Sequence, residues 1–223
     1  MRQSGGVVAR LAGVLLIGVA VFATMVASAL AEGTGPKVTL RTASGVLKKG
    51  DPLVAFSSNL VVTTGGGNIE CSKNTLSGTI KTNAKEKLSG ELTLVEATGE
   101  ETGGRCKSTA PFGPAEVSTS NTPWKLKFIN TGVVQINTGL GTKLVEFTAT
   151  YPGAGGAKCI YSIKKLLSSF PVSASPVPLV ITTTNQVFKL VAGSTAGCPT
   201  EGKMNGSFST TSKGEAVEVE AHT

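Results

Sequence analysis

The chain has 223 residues and a net charge of +7, with a single histidine, His222, and a single aspartate, Asp51. This composition argues against Ser–His and Cys–His catalysis, histidine-held metals and carboxylate-rich calcium loops. Arg41 and Arg105 are the only arginines after residue 31, which argues against a nucleic-acid-binding surface.

The amino terminus has the layout of a secretory signal peptide. Arg2 and Arg10 precede an uncharged apolar run that ends in the small-x-small sequence ALA at positions 29–31. We expect residues 1–31 to be removed and residues 32–223 to form an exported β-rich region, secreted or held at the cell surface. The alternative is an uncleaved anchor, because about 20 apolar residues can also span a bilayer. Cleavage would leave 192 residues with a net charge of +5.

The region after residue 31 alternates apolar and polar residues with the period of two that buries one face of a β-strand. In chain order the clearest examples are Val38 with Leu40, Leu92 with Leu94, Leu126 with Phe128, Val145 with Phe147 and Ala149, and EAVEVEA from Glu215. Segments such as TTGGG, TGG, NTG and PGAGG separate these runs and have the composition of turns. We therefore predict an all-β, antiparallel β-sandwich. A barrel-like sheet, or two small β domains divided near 130–141, are the alternatives.

One eight-residue pattern occurs three times. PLVAFSSN, PAEVSTSN and PLVITTTN begin at Pro52, Pro114 and Pro178 and end at Asn59, Asn121 and Asn185. A proline, a run of β-branched residues and an asparagine predict a recurring strand followed by a corner. The spacing predicts about three repeated units of some 60 residues, although chance matching in a chain rich in serine and threonine is the alternative.

The segment IYSIKKLLSSF, from Ile160, is the one ambiguous element. Its apolar residues Ile160, Ile163, Leu167 and Phe170 fall at helical spacing. Because the segment follows Cys159 in a chain of strands, we favour β structure over a short helix.

Four cysteines, Cys71, Cys106, Cys159 and Cys198, all lie beyond the export signal. An even number outside the cytoplasm predicts disulfides, and the absence of close CxxC pairs argues against zinc. Three connectivities are open. We favour neighbour pairing, Cys71 with Cys106 and Cys159 with Cys198, because it closes two loops of similar length.

Three weak patterns suggest catalysis. Glu116 and Glu146, in strand-like contexts, are candidates for a glycosidase carboxylate pair. Ser162 and Lys165 fit the SxxK spacing, but KTG and SDN partners are missing. GCPTEGKM, from Gly197, fits part of a phosphate-binding loop, but a methionine stands where the magnesium ligand belongs. We interpret all three as chance matches, and we expect no cofactor and no bound metal.

Lysines recur in polar or turn-rich stretches, and they suggest weak attraction to anionic polymers or lipid head groups. They are Lys48, Lys49, Lys81, Lys85, Lys87, Lys164 and Lys165. The alternative is that they keep exposed strand edges unpaired.

Taken with the export signal, these features favour a binding or structural module at the cell surface or outside the cell, and not an enzyme. The alternatives are a carrier that holds a small apolar ligand in an internal cavity, or a glutamate-dependent hydrolase. A membrane contact is expected only if the signal segment stays attached.

Overall fold

The structure, a computed structural model, describes residues 37–84, 87–130 and 132–222. The predicted signal peptide and Lys85 lie outside these residues. The described chain is β structure almost throughout, with one short 3-10 turn at Pro152–Ala154. None of its helical structure is long and apolar enough to cross a membrane.

Nineteen strands follow one another along the described chain. They are β1 (Lys37–Thr42), β2 (Gly45–Val46), β3 (Pro52–Ser57), β4 (Leu60–Thr64), β5 (Gly67–Cys71), β6 (Lys73–Ala84), β7 (Lys87–Thr98), β8 (Lys107–Ser108), β9 (Glu116–Ser120), β10 (Trp124–Asn130), β11 (Val133–Asn137), β12 (Val145–Tyr151), β13 (Ala157–Ile163), β14 (Leu166–Ser169), β15 (Val177–Pro178), β16 (Val180–Leu190), β17 (Glu201–Ser212), β18 (Glu215–Ala216) and β19 (Glu218–His222). The ambiguous segment from Ile160 forms parts of β13 and β14, so it is β structure, as favoured.

The fold is an antiparallel sandwich of two sheets, one of four strands and one of fifteen. The small sheet has the order β15-β19-β1-β2, so that the last strand, β19, pairs with the first described strand, β1. The side chain of Asn83 on β6 joins the two sheets. Its Oδ1 accepts the backbone N–H of Leu40 at 3.0 Å, and its Nδ2 donates to the carbonyls of Leu40 and Leu47 at 2.8 and 2.7 Å.

The larger sheet closes on itself. Strand β10 pairs with both β7 and β11, and the ladder continues through β14, β16, β17, β3 and β6 back to β7. We call these eight strands the first ring. The sandwich therefore contains the barrel-like closure that the sequence left open as an alternative.

A second ring shares the hairpin β16–β17 with the first and also contains β4, β5, β8, β9, β12 and β13. The strand pairing that closes the second ring is short. Strands β5 and β8 share two residue pairs, and Cys106 then pairs with Ala115 directly before β9. Few ladder bonds therefore hold this part of the second ring.

Alternation places one face of most strands in a single apolar core. On β12, for example, Val145, Phe147 and Ala149 are buried, as their spacing predicts. Leu94 is the exception. Leu92 is buried, but Leu94 is 45% exposed, because the register between β6 and β7 shifts opposite Ser77 and Gly78 and β7 changes its inward face there.

The described residues after the signal segment form one compact unit. The stretch 130–141, where the sequence allowed a division, contains β11. This strand pairs with β10 on one side and with β14 on the other.

Candidate functional site

The two candidate catalytic glutamates lie on neighbouring strands but far apart along them. Glu116 of β9 faces Thr150 of β12, whereas Glu146 of β12 faces Ser120. Four residue steps along the strands therefore separate the two residues, which is roughly 13 Å of backbone at the rise of a strand. Glycosidase pairs lie about 5 to 10 Å apart. Instead, Glu116 forms an ion pair with Arg105 at 3.4 Å, and Glu146 accepts a hydrogen bond from the Ser120 hydroxyl.

The other two catalytic patterns also place their residues apart. Ser162 is buried in β13, at 5% exposure, whereas Lys165 is exposed in the turn that follows. The phosphate-loop pattern from Gly197 leads into the long strand β17 and not into a helix N-terminus. In it Cys198 is in a disulfide and Met204 faces Gln186 across the ladder. A phosphate cradle of the P-loop type is therefore absent at this segment.

Several titratable groups in the described chain are engaged in local bonds. His222 is hydrogen-bonded to the Thr39 hydroxyl at 2.8 Å. A hydrogen bond from Lys213, and a second from the backbone N–H of Lys48, hold the pKa of Asp51 below its usual value. Within the described residues, His, Cys, Asp and Glu do not form a group of three that could hold a metal ion.

Both disulfides lie in the second ring. Cys71, at the end of β5, is bonded to Cys106 directly before β8, and Cys159 of β13 is bonded to Cys198 in the β16–β17 loop. This is the neighbour pairing that the loop lengths predicted. The first bridge spans the β5–β8 contact, which has only two residue pairs.

The three asparagines of the repeated pattern each stand where the chain passes between the rings. Asn59 separates β3 from β4, Asn121 separates β9 from β10, and Asn185 lies at the register shift within β16. Asn121 and Asn185 have positive φ angles of 61° and 49°, a conformation that asparagine tolerates better than most residues. The bonds of the three side chains differ, and the duplication itself stays a prediction.

Two of the lysine-rich stretches meet at one end of the first ring. The turn with Lys48 and Lys49 is held against β6 by the bond from the N–H of Gly50 to the carbonyl of Ile80, at 2.9 Å. Lys81 follows on β6 and is paired with Glu91 at 2.6 Å. Lys164 and Lys165 lie in the separate turn between β13 and β14.

The core of the second ring holds two tyrosines that the sequence analysis did not single out. Tyr161 is 1% exposed, stacked on Phe147 with ring centroids 5.2 Å apart. Burial, with a smaller contribution from the charge of Tyr151, raises the pKa of Tyr161 to about 12. Burial also raises the pKa of Tyr151, against the opposing effect of a hydrogen bond with Ser108.

An apolar cavity of about 60 Å³ lies in the core between the two rings. The first ring contributes side chains such as Leu92, Ile136 and Phe208, and the second contributes Leu60, Phe147 and Phe188. Sequence reasoning allowed an internal cavity only as a general alternative. Its position could not be read from strand alternation, because every lining residue also fits a fully packed core.

Known protein families, characterised proteins and solved structures were compared with the chain. None of them matches it. Only the geometry of the candidate sites therefore bears on function. That geometry separates the residues of the catalytic patterns and places Cys71, of one disulfide, in the wall of the apolar cavity.

Proposed function

We propose that the chain is an exported, disulfide-stabilised β protein that serves as a binding or structural module, at the cell surface or outside the cell, and not as an enzyme. The observation that carries the proposal is the position of the two disulfides. Both reinforce the second ring, and one spans the contact of only two residue pairs between β5 and β8. Disulfides with a stabilising role persist mainly in oxidising compartments outside the cytosol.

The non-catalytic part of the proposal is supported by the separation of the candidate groups. Glu116 and Glu146 are four strand positions apart, and both carry local partners. Ser162 is buried while Lys165 is exposed. Catalysis requires groups within hydrogen-bond reach of one reacting centre, and these pairs do not share one.

For a partner, we propose anionic polymers of the cell envelope, attracted by the lysines at one end of the first ring. Lys48, Lys49 and Lys87 are exposed there, and Lys81 stands between them on β6. Glu91 offsets the charge of Lys81 through their ion pair. Asp51, whose ion-pair partner is Lys213, adds a negative charge beside the Lys48 turn. The attraction is therefore weak and electrostatic, and it carries no nucleic-acid specificity.

Fractionation and cosedimentation test these proposals together. The protein is expected outside the cytoplasm, and it should cosediment with purified envelope at 0.1 M salt. At 1 M the interaction should be lost, since the screening length falls from about 10 Å to about 3 Å. The variant Lys48→Gln/Lys49→Gln should bind less than Lys164→Gln/Lys165→Gln, which removes the same charge from another turn. A cytosolic protein would contradict export, and binding that is absent at low salt or insensitive to salt would contradict the lysine interaction.

A further inference from the structure

We propose that the cavity between the two rings is a binding site for one small, uncharged, apolar molecule. This inference is independent of the envelope interaction above, because it uses the interior of the protein and none of its surface lysines. It rests on the chemistry of the cavity wall, the size of the cavity and the pairing of the strands that enclose it.

The cavity wall offers a ligand almost no hydrogen-bonding group. Its two threonine hydroxyls are already engaged: Thr119 donates to the carbonyl of Val95 at 3.1 Å, and Thr183 is bonded to the Ser168 hydroxyl at 2.7 Å. The indole N–H of Trp124 donates to the carbonyl of Ser120 at 3.0 Å. Water needs two or more polar partners to occupy a buried site, so this cavity is expected to be dry. A ligand with its own polar groups would lose their bonds to water without replacement.

The volume limits the ligand to a few heavy atoms. A dry engineered cavity of about 150 Å³, lined by similar side chains, takes benzene or xenon. The present cavity, at about 60 Å³, is smaller. It suits an atom of the size of xenon or a hydrocarbon of two to three carbons. The flexible side chain of Met204 in the wall can adjust to the shape of the occupant.

The contact between β7 and β9 is among the most weakly paired parts of the enclosure. These strands share a single residue pair, Ala97 with Val117. The bond from Thr119 to the carbonyl of Val95 is the next connection along the same contact. Strands β14 and β16 also share only one residue pair, but three side-chain hydrogen bonds reinforce that contact. Val95, Val117 and Thr119 all line the cavity. We therefore expect a small molecule to enter between β7 and β9.

Met204 provides a direct test of occupancy. It is the only methionine after residue 25, so the folded region of the full chain carries one methionine methyl group. In protein labelled with ¹³C at the methionine methyls, xenon should shift the Met204 resonance with a saturable dependence on concentration, and propane should do the same. A change in the Met204 chemical shift that grows only linearly with gas concentration, like that of an exposed methyl group, would overturn the proposal.

Matched variants show whether the response comes from this cavity. Val145→Ile adds one methylene to the wall and should reduce xenon affinity at least threefold. Val217→Ile makes the same change at another fully buried position outside the wall and should leave the affinity unchanged. If overpacking unfolds Val145→Ile, Ile136→Val enlarges the cavity and should strengthen the response, whereas Ile80→Val should not. Equal changes in xenon affinity in the two members of either pair of variants would overturn the assignment of the response to this cavity.

Discussion

The backbone N–H of Asn185 donates a 2.8 Å hydrogen bond to the side-chain Oδ1 of Asn205, on the partner strand of the same hairpin. Asn185 has a positive φ and stands at the register shift between Thr183 and Gln186, where the ladder bonds of β16 and β17 are interrupted. The Asn205 side chain therefore replaces a missing ladder bond at the point where the hairpin passes from the first ring to the second.

Removing this bond should destabilise the protein. We expect Asn205→Ala to lower the free energy of unfolding by about 0.5 to 1 kcal/mol, the net value of one hydrogen bond, because the N–H of Asn185 is exposed and water can bond to it once the partner is lost. Asn185→Gly keeps the N–H and the positive φ and should change stability by less than about 0.5 kcal/mol. Urea unfolding of both variants checks this, and an equal loss in the two would show that the asparagine side chain at 185, and not the bond, holds the corner.

The two disulfides should stabilise the second ring more than the first. In the chain-entropy model, loops of 35 and 39 residues correspond to about 3 to 4 kcal/mol each. The double variant Cys71→Ala/Cys106→Ala should therefore unfold at lower denaturant concentration, and its amide exchange should rise most in β4, β5 and β8. A uniform rise across both rings would contradict a local role for this bridge.

Alkaline pH should destabilise the protein through its two tyrosines. Tyr151 and Tyr161 have raised pKa values in the folded state, about 12 for Tyr161, against about 10 in the unfolded chain. Below pH 10 both tyrosines are neutral in the folded and the unfolded states, and their burial contributes its full stabilisation. Above pH 10 the unfolded state loses protons first, so stability falls until the pH passes 12.

Absorbance of tyrosinate measures this directly, because these are the only tyrosines in the chain. The folded protein should titrate above pH 10 and the denatured protein near 10. Tyr161→Phe should remove the higher step and leave that of Tyr151. A folded protein in which both tyrosines titrate near pH 10 would show that neither tyrosine side chain is buried as described.

Gly78 should not tolerate a side chain. A Cβ at this position would lie 2.0 Å from the carbonyl oxygen of Glu91, on the strand that shifts register there. We expect Gly78→Ala to cost about 2 to 3 kcal/mol of stability, as overpacking of a rigid core does. Gly65→Ala, at a turn with open space around the added carbon, is the matched control. Thermal unfolding compares the two, and similar melting temperatures would contradict the close approach of β6 and β7.

Much of the fold follows from local chemistry in the sequence. The alternation of Val145, Phe147 and Ala149 predicts their burial, and turn residues predict where strands end. The cysteine spacing favours the observed pairing, since pairing Cys71 with Cys106 and Cys159 with Cys198 closes two loops of similar length. Alternation wrongly predicts the burial of Leu94, because a bulge shifts the register of β7 by one residue. The local sequence of β7 does not indicate this bulge.

The ring closures and the cavity depend on contacts between distant parts of the chain. Trp124 pairs across to Leu92 and thereby closes the first ring, but neither residue carries a signal for that partner. The cavity is the space left after side chains from both rings have packed, and this depends on the sum of many volumes. Nothing in the repeated pattern indicated that Asn59, Asn121 and Asn185 each stand at a passage between rings.

The most direct test of the proposed function is non-reducing peptide mapping of the native protein, recovered by fractionation of cells. We predict that the protein lies outside the cytoplasm, starts near Glu32 and yields two linked peptide pairs, Cys71 with Cys106 and Cys159 with Cys198, with no free thiol. A cytosolic protein whose four cysteines react with a thiol reagent before denaturant is added would contradict an exported, disulfide-stabilised module.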